Sequence, residues 1–293
     1  MRRFVILTIS VLLAMSVMSQ HYVGFGANVQ SPMHIDNLPQ TSTRFGLGGG
    51  AEFAYEYRHG NFLLNLGVGA EYVSSRQRVD DEHLQVSMTD TRGINFTYNG
   101  SLQKRTDVIR VVNIPLSLRL GFEAGQFYLL AGATYALRVG GSSLQQAELA
   151  TEGDYNGRYY VPLTDMPNHG YHDYEHTSTS GEIARLNDLR LHLEVGTDRQ
   201  MLRSGRKVKP VLRIGVFAEY GLLNLIDNPT DRQITELDVQ QYMQVRLNNV
   251  YYSTLARGGK ANSFTAGVKV TVLMGVGGTS KRFRKSKCHC YWL

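Results

Sequence analysis

Between Val208 and Leu222 the chain alternates, residue by residue, between two chemistries. Val208, Pro210, Leu212, Ile214, Val216, Ala218, Tyr220 and Leu222 are apolar, whereas Lys209, Val211, Arg213, Gly215, Phe217, Glu219 and Gly221 carry three charges and two glycines. Successive side chains of a β-strand point to opposite faces, so one face of this segment meets an apolar medium and the other a polar one. The alternation recurs in eight segments, 22–28, 43–58, 61–75, 107–122, 126–139, 188–202, 207–222 and 262–276. Aromatic residues gather near segment ends (Tyr55, Tyr57, Phe62, Tyr72, Phe122, Phe127), as in the interfacial girdles of membrane barrels. The pattern predicts an all-β chain forming an eight-stranded antiparallel transmembrane β-barrel.

The connections carry independent information. Short turns near 59–60, 123–125 and 203–206 alternate with a medium connection at 31–42 and long ones at 76–106, 140–187 and 226–261. A barrel whose two ends face different compartments keeps its long loops at one end, which a soluble sandwich has no reason to do. Residues 84–89 with 94–102, and 239–252, read as strands continuing beyond the membrane; an additional spanning hairpin there would make ten strands. Residues 76–85 are too charged to face lipid, and 154–179 too broken in pattern.

The chain begins Met1-Arg2-Arg3, followed by an apolar run from Phe4 to Met18 and then Ser19. This is the form of a secretory signal peptide, residues 1–19, cleaved after Ser19. The run is short of the about 20 residues a membrane helix needs. No later apolar run is long enough for such a helix, which leaves an exported soluble protein or a barrel. The barrel is assigned residues 20–276, with both termini periplasmic and the long loops outside the cell.

Net charge is +6, which suggests nucleic acid until the charges are placed. Arg2 and Arg3 lie in the leader, and Lys281, Arg282, Arg284, Lys285 and Lys287 in a basic periplasmic tail spanning 277–293; removing these seven leaves −1 for the body. No nucleic-acid partner is expected. The two cysteines, Cys288 and Cys290, flank His289 in that tail, so no disulfide staples the barrel, and a disordered tail suits this trio better than a closed metal site.

Followed along each strand, the minority face carries Glu52, Glu56, Glu71, Arg119, Arg138, Arg190, Glu194, Arg213, Glu219 and Lys269. An eight-stranded barrel has room for little more than its own side chains, so these opposite charges are expected to pair and fill the lumen. No Gly-x-Ser-x-Gly, His-Glu-x-x-His or phosphate-binding glycine loop occurs, and neither catalysis nor a cofactor is expected. His169, His172, Asp173, Glu175 and His176 are dense enough to hold a divalent ion, although such a cluster reads first as a solvated loop.

Four segments stand out in order: Asn113-Ile114-Pro115-Leu116-Ser117-Leu118-Arg119, Phe127 to Ala133 followed by Tyr135, Glu219-Tyr220-Gly221-Leu222-Leu223-Asn224-Leu225, and Gly267-Val268-Lys269-Val270-Thr271-Val272-Leu273. Together they resemble the PorT-like outer-membrane barrels of Bacteroidetes-type bacteria. The likeness implies a small outer-membrane barrel of OmpA and OmpX size and no particular reaction. A structural or surface-interaction role is therefore expected, with outer-membrane lipid as solvent and an extracellular or envelope partner held by the loops. Tyr155, Tyr159, Tyr160, Tyr171, Tyr174, Tyr251 and Tyr252 either offer contact surface there or pack the loops together. A small-solute channel and a barrel enzyme acting on lipid or peptide are the alternatives.

Overall fold

Strand pairing in this chain closes on itself. The computed structural model describes residues 20–79, 83–159, 161–166, 171–180, 187–201, 210–226, 229–238 and 244–276. The leader, the basic tail with Cys288, His289 and Cys290, and the expected turn at 203–206 lie outside the described residues. The strands are β1 (Gln20–Asp36), β2 (Thr41–His59), β3 (Phe62–Val79), β4 (His83–Thr89), β5 (Asn95–Ala124), β6 (Phe127–Asp154), β7 (Asp173–Ser180), β8 (Asn187–Gln200), β9 (Val211–Gly221), β10 (Thr235–Asp238), β11 (Gln244–Leu247) and β12 (Ala261–Gly275).

Eight of them form an antiparallel ring in the order β1, β2, β3, β5, β6, β8, β9, β12 and back to β1. Its register can be followed by walking straight across the ladder. Phe264 pairs with Tyr220, then Leu191, Ala133, Leu118, Leu66, Tyr55 and Val23, and Val23 pairs with Met274. The circuit returns to β12 ten residues from its start, the stagger that tilted strands need to close. Every residue on this circuit is apolar or aromatic, and Leu118, Leu191 and Met274 are half exposed or more, at 52%, 52% and 60%. Side chains one position along point inward. A closed ring with an apolar outer band is the arrangement that satisfies backbone groups in lipid. Among the described residues no helix is long and apolar enough to cross a membrane.

The tight turns follow from single residues. Gly60 (φ +57°) and Gly125 (φ +68°) occupy the first central positions of the β2–β3 and β5–β6 hairpins, where a side chain would be strained.

Above the ring the chain departs from expectation in two places. The segment after Gly140, expected to be loop, continues as strand to Asp154, so β5 and β6 run 30 and 28 residues. With β4 along the upper part of β5 and β7 along that of β6, they form a four-stranded sheet beyond the barrel rim. These additions leave the ring at eight strands, not ten.

The second departure is the connection 222–260. A continuous strand over 239–252 was expected; instead β10 and β11 form a separate hairpin and Val250–Tyr252 is a 3-10 turn. Asn249 causes the change, since its side chain caps that turn by accepting from the Tyr251 amide at 3.0 Å. The connection folds inward, packing Leu225, Ile226, Ile234, Val250, Tyr251 and Ala256 against Leu38, Val73, Val79, Ile109 and Val111 of the rim.

Candidate functional site

The lumen is built from residues that strand parity turns inward, and their charged ends meet across it. At the short-turn end, Arg58 on β2 donates to Glu56 at 2.7 Å, to Glu123 at 2.8 Å and to Asp198 at 2.8 Å. Asp198 sits on β8, halfway round the ring from β2, so this bond spans the bore. Arg213 grips Asp198 with two bonds of 2.8 and 2.9 Å and reaches Glu56 from the other side. Its guanidinium lies over the Tyr128 ring, 4.1 Å from the centroid.

The middle layer continues the same contacts. Arg119 donates a fork of two bonds to Glu52, 2.8 and 2.7 Å, and Lys269 adds a third at 2.7 Å. Lys269 also approaches Glu194 at 3.8 Å, which accepts the Tyr128 hydroxyl at 2.6 Å. His192 stands between two carboxylates, Nδ1 at 2.8 Å from Glu219 and Nε2 at 3.2 Å from Glu194, its ring stacked on Phe217. Towards the long-loop end, Arg190 bridges Glu71 at 2.8 Å, Glu219 at 3.3 Å and Asp188 at 3.1 Å. Burying such charges is tolerated because each has a partner of opposite sign and good geometry; an orphaned member would be costly.

Ion pairs join Glu52, Arg119, Lys269, Glu194, Glu219, Arg190 and Glu71 through His192 in one series, and Glu56 with Arg213 in a second series with Asp198, Arg58 and Glu123. Arg138 stands half-buried beyond these series, opposite Asn113 on the ladder. The expectation omitted Arg58, Asp188, His192 and Asp198, which are equally central. Parity alone marks them: Asp188, His192 and Asp198 alternate with the same outward residues as Arg190 and Glu194, and Arg58 follows Glu52 and Glu56.

The described parts of the 222–260 connection lie over the barrel mouth at the long-loop end, fastened by polar contacts. Arg105, with no exposed surface, pairs with Asp107 at 2.8 and 2.9 Å and donates to the carbonyls of Ile234 at 3.1 Å and of Asn248. The Tyr251 hydroxyl bonds His34 Nδ1 at 2.9 Å, and burial pushes its pKa well up. Asp36 accepts from Gln77 and Thr41, both at 2.7 Å; partial burial raises its pKa against the opposing effect of the Thr41 bond.

The projecting sheet has two unlike faces. One carries Phe96, Tyr98, Leu102, Ala147, Leu149 and Tyr171, with Tyr155 stacked on Phe96. The other is polar and borders a cavity of about 450 Å³ lined by His83, Gln85, Asn99, Ser101, Glu152 and Asp173. Tyr171 and Tyr251 are buried, packing loops together, whereas Tyr159 is exposed. Of the residues weighed against a solvated loop as a divalent-ion cluster, His169 and the His176 side chain lie outside the described residues. His172 is half-buried beside Thr151, Asp173 and Glu175 are exposed, and no group of three metal donors occurs among the described residues.

No family model matches the chain, and no curated protein does. Among solved structures it is similar to Ail, the attachment invasion locus protein of Yersinia pestis, with 7% identity and a TM-score of 0.27 over 86% of this chain and 99% of that one. A second structure of Ail, in complex with the heparin analogue sucrose octasulfate, gives 8% identity and a TM-score of 0.23 over the same shares.

Proposed function

We propose that this chain is an outer-membrane barrel whose bore is sealed and whose work is done by the structure it holds outside the cell. The observation that carries the reading is the bore itself: paired charges cross it from Glu123 to Asp188, and the 222–260 connection is bolted over its outer mouth by Arg105. A conduit would leave that path to water. The barrel then serves as a rigid, lipid-embedded base for the four-stranded sheet, which presents a polar face to an extracellular or envelope partner. Interaction rather than catalysis is the role. Kinship with the PorT-like barrels rests on the four sequence segments given above, and the periplasmic placement of both termini on the short turns at that end.

Two measurements test this. In planar bilayers the purified protein should give no reproducible conductance step; a stable open state would overturn the sealed bore and favour a small-solute channel. Replacing 84–102 and 144–179 by short turns should abolish binding of cells to the partner surface while boiling still shifts gel mobility. Unchanged binding would remove the sheet from the function.

A further inference from the structure

Just above the lipid-facing band, on the outside of the barrel wall, arginines face one another. Arg44 on β2 pairs directly with Arg76 on β3. Arg78, two residues on, lies diagonal to Arg44, because its own partner is Ser42. Arg110 on β5 lies diagonal to Arg76, since Ser74 pairs with Arg110 and Arg76 with Val108. Directly opposed side chains on a sheet are about 5 Å apart at Cβ and diagonal ones about 7–8 Å, so Arg44, Arg76 and Arg110 are side-chain neighbours on one face. Like charges placed directly opposite destabilise a sheet.

Arg44 and Arg76 make the directly opposed pair. The outward residues of these strands here are Ser42, Arg44, Ser74, Arg76, Arg78, Thr106, Val108 and Arg110, with no acid among them. Arg44, Arg76 and Arg110 are exposed, and among the described residues none offers them a carboxylate. Elsewhere the same protein pairs its arginines closely, as in the lumen. A repulsive pair kept at one surface position points to an anion supplied from outside.

The surroundings say what carries the anion. Immediately below the arginines the wall is apolar and exposed: Phe45 at 67%, Leu47 at 70%, Tyr72 at 46% and Val112 at 41%. A bulge between Arg44 and Leu47 adds the extra residue that brings both Phe45 and Leu47 to the outside. Gly46 makes this bulge possible, because a Cβ there would strike the backbone of Ser74. Cations above and grease below, at the level where membrane meets water, match an amphiphile with a phosphate head and acyl tails. Guanidinium groups bind phosphate through paired, charge-assisted hydrogen bonds.

We infer that Arg44, Arg76 and Arg110, with Phe45 and Leu47, form a seat for a phosphate-bearing lipid of the leaflet facing the long loops. The inference rests on the membrane placement proposed above and adds a specific lipid contact to it.

The test uses the full folded chain in neutral detergent, with phosphatidic acid as probe and diacylglycerol of the same tails as control. Lipid retained is counted by native mass spectrometry. Phosphatidic acid should be held and diacylglycerol not, and changing Arg44, Arg76 and Arg110 together to Gln should weaken retention by about tenfold or more. Excess inorganic phosphate should displace the lipid poorly, since it lacks tails; displacement at equal concentration would overturn the apolar part of the seat. A second reading guards against misfolded variants. Arg44→Gln relieves repulsion, so it should raise the temperature of heat-modified mobility in neutral detergent and lower it when phosphatidic acid is present. The same sign in both conditions, or equal retention of the two lipids, overturns the proposal. If the chain fails to partition into membranes at all, the membrane reading falls instead.

Discussion

Arg119 on β5 and Glu52 on β2 meet inside the barrel in a two-bond fork, 2.8 and 2.7 Å, reaching past the intervening strand β3. Lys269 from β12 donates to the same carboxylate at 2.7 Å, so three walls of the ring converge on Glu52. Removing one member strands the others in a site shielded from water.

Arg119→Ala should therefore cost about 3–5 kcal/mol, the range for breaking a buried pair from one side. Replacing both partners, Glu52→Gln with Arg119→Met, should cost much less than the sum of the singles. Thermal or denaturant unfolding of the refolded barrel in micelles measures the cycle. Additive losses would mean that the two side chains do not act as a pair.

Tyr251 holds the outer connection by packing and by its bond to His34. Tyr251→Phe, which keeps the ring, should cost about 1 kcal/mol; Tyr251→Ala should cost about 3–5 kcal/mol by opening a cavity. In the Ala variant, limited proteolysis should cut within 226–260 well before the barrel strands are touched. Equal protection of wild type and Ala variant would detach Tyr251 from this role.

Asp36 gives the fold a pH dependence of definite sign. Burial raises its folded pKa above the ordinary 3.8, so the folded state favours the protonated acid. Its contribution is greatest below the unfolded pKa and is lost as pH rises through the raised folded value. Asp36→Asn should remove that slope, and its stability relative to wild type should improve from pH 3 towards neutrality. A variant that loses stability relative to wild type over this range would contradict the assignment.

Much of this architecture is legible in the sequence, for a physical reason. Lipid outside and a narrow polar bore inside force strict two-residue alternation, so parity placed Leu118 outward and Arg119 inward, and did the same for Ile214 and Arg213. The regions beyond the rim obey no such rule. There both faces of a strand can meet water or another loop, and the run after Gly140 showed no clear alternation although it continues as strand to Asp154. The inward fold of the 222–260 connection was hidden because it depends on a cap at Asn249 and a buried cation, Arg105. Arg105 has the local appearance of an ordinary loop charge in Lys104-Arg105-Thr106-Asp107. His192 was legible by parity, but its place between Glu194 and Glu219 depends on which strands adjoin, and periodicity does not reveal that.

The central claim is that the outward apolar face meets lipid. A tryptophan introduced at Leu118, on that face, reports it directly when the barrel is reconstituted with lipids brominated near mid-chain, using Gln85→Trp on the projecting sheet as reference and the background of the native Trp292 subtracted. Fluorescence at position 118 should be strongly quenched by brominated lipid and little by aqueous iodide, and position 85 should show the reverse. Iodide quenching at 118 equal to that at 85, with no effect of bromine, would contradict a membrane-spanning barrel.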